Sequence, residues 1–167
     1  MSYTCSVCNQ IHQGPPWVWG PNAPDAWVRI VDDAQRAEGE LGSDQCVFPE
    51  TDRARCFVRG RLEIPVLGAD ESFAWLVWVE VQPNDFFDMS EKWNQEDRET
   101  SAPYEGVLAN HLSIFENETL SLPVRIHTRP VGERPFIEIA GEHRLAAEQK
   151  NGISELRIQE IAELLSH

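Results

Sequence analysis

The clearest regularity in the chain lies between Cys56 and Val66, where Cys56, Val58, Leu62, Ile64 and Val66 alternate with Arg59, Arg61 and Glu63. An apolar residue at every second position is the period of a strand with one buried and one wet face. After the turn LGADE, the segment SFAWLVWVEVQ is apolar on both sides. Phe73, Trp75, Val77, Val79 and Val81 share one face, and Ala74, Leu76 and Trp78 share the other. That pattern predicts a strand covered on both faces. No helix separates the two segments, so they are expected to pair as an antiparallel hairpin.

The rest of the chain alternates between helical and extended patterns. Residues 25–41, DAWVRIVDDAQRAEGEL, read as a short helix with Asp25 as N-cap and Gly42 just past its end. SDQCVFPE follows as a short strand leading into a turn. Pro83 opens a second helical stretch, in which Phe86, Met89 or Ser90, and Trp93 recur at helical spacing beneath an Asn84 cap. LPVRIHTRP and RPFIEIA, separated by VGE, predict a second hairpin whose strands are bounded by proline. The chain closes on a helix capped by Ser154, with Ile158, Ile161, Ala162 and Leu165 forming its apolar stripe. Ahead of all this, residues 1–22 are rich in Gly, Pro and Trp around PPWVWGP, which favours an ordered loop. Trp17 and Trp19 in that loop read either as a partner anchor or as a cover for one end of the core.

Composition narrows the picture. A length of 167 residues suits one domain, here a loop over 1–22 and an α+β body over 23–167. The hydrophobic fraction of 41%, with six Trp, supports an aromatic-rich core. A formal net charge of −14 opposes phosphate backbones and anionic membrane surfaces. Nucleic acid and membranes are therefore poor partners, and a basic protein is a better one. The N-terminus has neither a basic n-region nor an apolar h-region, and four Cys in such a chain read as thiols, metal ligands or a redox pair. The expected location is the cytoplasm.

Cys5 and Cys8 carry the most specific chemistry. Their C-x-x-C spacing lets two thiolates approach one Zn²⁺ from a tight turn, and Asn9 after it tolerates the left-handed backbone often needed there. Further ligands would have to come from His12, Cys46, Cys56 or His143. Cys46, in the polar SDQC stretch, is the better third thiolate, because Cys56 is in phase with Val58 and Leu62 and points into the core. The expected metal set is thus Cys5, Cys8 and Cys46 with His12 or His143, and the expected ion is zinc. Ordinary reduced thiols and a redox pair are the alternatives, although the N-terminus lacks the strand-to-helix context of thioredoxin chemistry.

Arg59, Arg61 and Glu63 share a strand face, as do Arg125 and His127. They form either a cationic patch for a carboxylate or phosphate, or cross-strand pairs with Glu63, Glu80 or Glu138. His143 has acidic neighbours but no Ser, Cys or Asp at triad spacing, so a capping or surface role competes with that of a base. No P-loop, Rossmann fingerprint or HExxH occurs.

C-x-x-C with a His four residues after the second Cys, SDQC, FVRGRLEIPV, FAWLVWV, HTRP, RPFIEI and H-x-LAxEQxxGI occur in this order. Together they resemble the bacterial domain of unknown function 2199 family over nearly the whole chain. The matching polar positions are Cys5, Cys8, His12, Cys46 and His143. The chain departs from the pattern at Asn9, Cys56, Leu76 and Arg144. The resemblance implies a fold and recurring polar residues, and brings no substrate with it.

The resulting expectation is an α+β domain, an antiparallel sheet with helices packed mainly on one face and an N-terminal cysteine loop folded against it. For function, the leading reading is a non-catalytic binding or regulatory protein with a structural zinc site. The alternatives are an acidic, immunity- or antitoxin-like interaction protein, and an enzyme of unknown reaction using the C-x-x-C or His143.

Overall fold

The computed structural model describes residues 2–167. In chain order its elements are β1 (Ser2–Thr4), β2 (Ile11–Gln13), β3 (Val18–Trp19), α1 (Asp25–Val28), α2 (Asp33–Glu38), β4 (Glu40–Leu41), β5 (Gln45–Glu50), β6 (Arg53–Pro65) and β7 (Ser72–Val81). They continue with α3 (Pro83–Glu91), β8 (Tyr104–Leu108), β9 (Pro123–His127), β10 (Phe136–Ile139), α4 (Arg144–Asn151) and α5 (Glu155–Ser166).

The β6–β7 hairpin is the frame, antiparallel from Cys56↔Val81 to Pro65↔Ser72. Its register sets Leu62 against Trp75 and Ile64 against Phe73, and all four are buried. The two faces that periodicity separates are real: Cys56, Val58, Leu62 and Ile64 join Phe73, Trp75, Val77 and Val79 in one apolar cluster. On the opposite face, Phe57 and Trp78 form a second cluster with Cys46 and Phe48 of β5, covered by Trp27 of α1. β9 and β10 pair antiparallel, as their pattern predicts.

The antiparallel sheet with helices packed mainly on one face is not what forms. From β7 the ladder runs through β8 and β9 to β10, and β10 returns to β6 in parallel at Phe136↔Arg61. β6, β7, β8, β9 and β10 therefore close a five-stranded barrel, which removes the edges these strands would otherwise expose. β5 and β4 extend the sheet from β6, and β3 adds in parallel to β7. Leu145 of α4 and Ile158 and Ile161 of α5 pack into the barrel cluster, while α1 covers the outer face of β5 to β7. Helices thus lie on different sides of a closed sheet. Closure needs a close approach at Gly60, where an added Cβ would fall 2.5 Å from Ile137 Cδ1 and 2.9 Å from the Pro135 carbonyl.

Local differences have local causes. The helix expected over residues 25–41 is split into α1 and α2, because the Asp32 carboxylate accepts the Ala34 N–H and starts a new helix. Asp25 does not cap α1. Its carboxylate instead accepts the His111 N–H, and Asn110, fully buried, ties Ala23, Asp25 and the Trp78 N–H together. α3 begins two residues earlier than an Asn84 cap would give, with Gln82 as N-cap and Pro83 in the first turn. Ser154 does cap α5, but Leu165 at its end is exposed. Residues 2–22 are more regular than a loop, since β1 and β2 form an antiparallel hairpin apart from the main sheet. Trp17 and Trp19 lie partly buried against the barrel cluster, which is the covering role.

Candidate metal centre

The C-x-x-C turn connects β1 to β2. The Cys5 N–H donates to Gln10 O and the Asn9 N–H to Cys5 O, both at 2.9 Å, and Asn9 takes φ of +58°. The turn requires that left-handed residue, and Asn supplies it at little cost. Hydrogen bonding from the Cys8 backbone N–H, supported by Val7, pulls the Cys5 thiol below its usual range against the opposing effect of burial. Backbone amides directed at sulfur in this way favour thiolate.

His12 follows on β2 and places Nε2 3.3 Å from Cys8 Sγ. The fourth group comes from the other end of the chain, where His167 Nε2 lies 3.3 Å from Cys5 Sγ. Ligand atoms of Cys5, Cys8, His12 and His167 all fall within 4.8 Å of one another, the one such group among the described residues. A tetrahedral zinc ion with Zn–S of about 2.3 Å and Zn–N of about 2.0 Å would set its ligand atoms about 3.5 Å apart. Two thiols and two imidazoles at these separations fit that chemistry.

α5 holds the cluster together. Glu163 accepts from the Ser6 N–H at 3.0 Å and from the Ser6 hydroxyl, and Gln159 Nε2 donates to it at 3.2 Å. The Ser6 hydroxyl, foremost among these donors, keeps the Glu163 carboxyl below the usual carboxylate range. Glu163 and His167 are four residues apart, hence on one helical face, so the bond that docks the turn also delivers the imidazole. Tyr3 stacks on His12 with ring centroids 5.7 Å apart, and His12 meets the His167 ring edge-on at 6.2 Å.

Of the residues singled out from sequence, Cys5, Cys8 and His12 come together, while Cys46 and His143 lie elsewhere. Cys46 is fully buried beside Phe48, Phe57 and Trp78, where burial, with Cys56 nearby, pushes its thiol up to about 12. A thiol held neutral in an apolar cluster is a core residue. Cys56 faces the barrel interior. His143 caps α4: Nδ1 accepts the Leu145 N–H at 2.9 Å and Nε2 lies 3.0 Å from Asn117 O, so both ring nitrogens are engaged. His167 escaped the sequence reading, and the Glu163-to-His167 spacing on a docked helix was its only trace. The strand-face cations mostly pair: Arg61 with Glu63 at 3.2 Å, and Arg125 and His127 with Glu138 at 3.6 and 3.1 Å.

Fold and site define a small α+β barrel protein whose N-terminal turn and C-terminal helix together present two thiols and two imidazoles able to hold a metal ion. The chain belongs to the family described as "Uncharacterized protein conserved in bacteria (DUF2199)", whose model matches residues 4–153. His167 and the whole of α5 lie outside that matched region. No curated protein and no solved structure matches the chain. No helix among the described residues is long and apolar enough to cross a membrane.

Proposed function

We propose that this protein is a non-catalytic binding or regulatory protein whose N-terminal hairpin is fastened to its C-terminal helix by one zinc ion, held by Cys5, Cys8, His12 and His167. The observation that carries this reading is the convergence of four soft or borderline donors from two distant segments. Such a clip offsets the entropy of ordering a Pro- and Gly-rich terminus that has only a three-residue-strand hairpin of its own. Four protein ligands leave no open position for substrate or activated water, which is the mark of a structural site and not of a catalytic one.

Cobalt substitution tests the proposal. Co²⁺ added to metal-free protein should give the intense visible absorption of a tetrahedral thiolate site. Cys8→Ser and His167→Gln should weaken uptake at least tenfold, and Cys46→Ser should leave it unchanged. A spectrum no stronger than that of aqueous cobalt would refute the proposal.

A further inference from the structure

On the outer surface of the barrel, Arg59 of β6 enters a cavity of about 190 Å³ that the metal cluster does not touch. Its walls come from three places: Asp44 ahead of β5, Trp93 and Arg98 after α3, and the connection between β9 and β10. Four arginines line it, Arg59, Arg98, Arg129 and Arg134, against two acidic residues, Asp44 and Glu133. On a chain of net charge −14, such a concentration of arginine is not a consequence of composition.

The four arginines have different duties. Arg98 is nearly buried and donates to the carbonyls of Trp93, Arg129, Pro130 and Glu133 at 2.8 to 3.0 Å. It therefore fixes the wall formed by the β9–β10 connection. Arg134 Nε donates to Asp44 at 2.7 Å, and Arg129 Nη1 to Glu63, outside the cavity, at 2.9 Å. Arg59 has no carboxylate partner among the described residues. It lies over the Trp78 ring at 5.7 Å, gives Nη2 to Pro21 O at 2.9 Å, and leaves Nε shielded from solvent with no acceptor. Burial, and then the nearby Arg134, make its charge harder to hold than usual. Arg59 is thus held beside Arg134, whose carboxylate partner is Asp44, with an N–H of its own left unpaired.

We infer that this cavity binds a small oxyanion, of the phosphate or carboxylate class, between Arg59 and Arg134. An oxyanion there accepts charge-assisted hydrogen bonds in the fork geometry that guanidinium offers, and relieves the repulsion between the two arginines. Trp93 and Pro135 beside them supply apolar surface for a short substituent on the anion. The inference is independent of the metal reading, since no residue is shared.

The experiment is a titration of the full chain, as purified, with inorganic phosphate, and separately with acetate, at ionic strength held constant with chloride. ¹H–¹⁵N NMR follows the Nε–H signals of Arg59 and Arg134 and the Trp93 indole N–H. The expected result is a saturable shift of these signals, weakened at least tenfold by Arg59→Met and by Arg134→Met and unchanged by Arg53→Met, an exposed arginine elsewhere. Tighter saturation by phosphate than by acetate identifies a phosphate ligand, and the reverse order a carboxylate. If Arg59→Met does not fold, Arg134→Met, whose side chain is 33% exposed, carries the test. Shifts that do not saturate with either anion, or that persist unchanged in the folded arginine variants, would overturn the inference.

Discussion

Substituting Gly60 by alanine puts the barrel's closure under test. Gly60 lies on the inward face of β6 between Val58 and Leu62, where β10 arrives in parallel at the adjacent register. In an ordinary strand interior, replacing glycine stabilises by roughly 0.5 to 1 kcal/mol through the unfolded chain's lost freedom. Here the new methyl group would meet Ile137 Cγ1 and Cδ1, each at 2.5 Å, and the Pro135 carbonyl at 2.9 Å. Ile137 is fully buried and cannot swing into solvent. Overpacking of this kind costs about 1 to 3 kcal/mol, which exceeds the backbone gain and makes the net effect destabilising. Ile137→Ala alone should cost about 2 to 5 kcal/mol by leaving a cavity. In the double variant the alanine at 60 no longer meets Ile137 Cγ1 and Cδ1, keeps only the 2.9 Å approach to the Pro135 carbonyl, and fills part of that space. The two losses should then fall short of additivity by more than about 1 kcal/mol, beyond the roughly 0.5 kcal/mol seen between independent sites. Equilibrium urea unfolding of wild type, both single variants and the double measures all four corners of the cycle. A Gly60→Ala protein as stable as wild type, or additive losses, would mean that β10 does not close on β6 as described.

Leu62→Ala, at a fully buried position opposite Trp75, should lose about 2 to 5 kcal/mol in the same assay, and a loss below about 1 kcal/mol would remove Leu62 from the core. Hydrogen bonding from Arg129, with Arg61 adding to it, holds the Glu63 carboxyl below its ordinary value of 4.5. Because the folded pKa is lowered, the stabilisation is fully present above the unfolded value and is lost as pH falls through the folded one. Glu63→Gln should therefore melt below wild type at neutral pH, and the gap should close in acid as pH falls below the ordinary carboxyl value and through the lowered folded one; a gap that is constant with pH would contradict this. At the left-handed position after the C-x-x-C, Asn9→Gly should retain cobalt affinity and Asn9→Val should lower it severalfold, since a β-branched residue resists positive φ; equal affinities would say that the turn geometry does not matter to the site.

The strands were legible because period-two alternation reports directly which side chains are buried, and the β6–β7 faces follow from it residue by residue. Closure was not, because periodicity says nothing about which strand lies next door. The step from an open sheet to a barrel rests on one parallel contact, Phe136↔Arg61, between segments 75 residues apart in the numbering. The split between α1 and α2 was hidden for a different reason. Asp32 fits a helix pattern by composition, yet its carboxylate does better as a cap than as an interior residue. For the site, Cys5, Cys8 and His12 could be found because their spacing is local. His167 could not be, because its place is set by the docking of α5 through Glu163 and Ser6. Cys46 was favoured for its polar neighbours in sequence, but the β5–β6 register turns it toward Phe57 and into the second apolar cluster.

The zinc clip is tested most directly by metal content counted against protein. Protein purified without chelator and desalted should carry one zinc per chain by elemental analysis. Displacing the thiolates of Cys5 and Cys8 with an organomercurial should release that zinc in full, Cys46→Ser should still carry one, and Cys8→Ser should carry far less. Wild-type protein without stoichiometric zinc, whose Cys5 and Cys8 react in the native state at the rate of free thiols, would contradict the account.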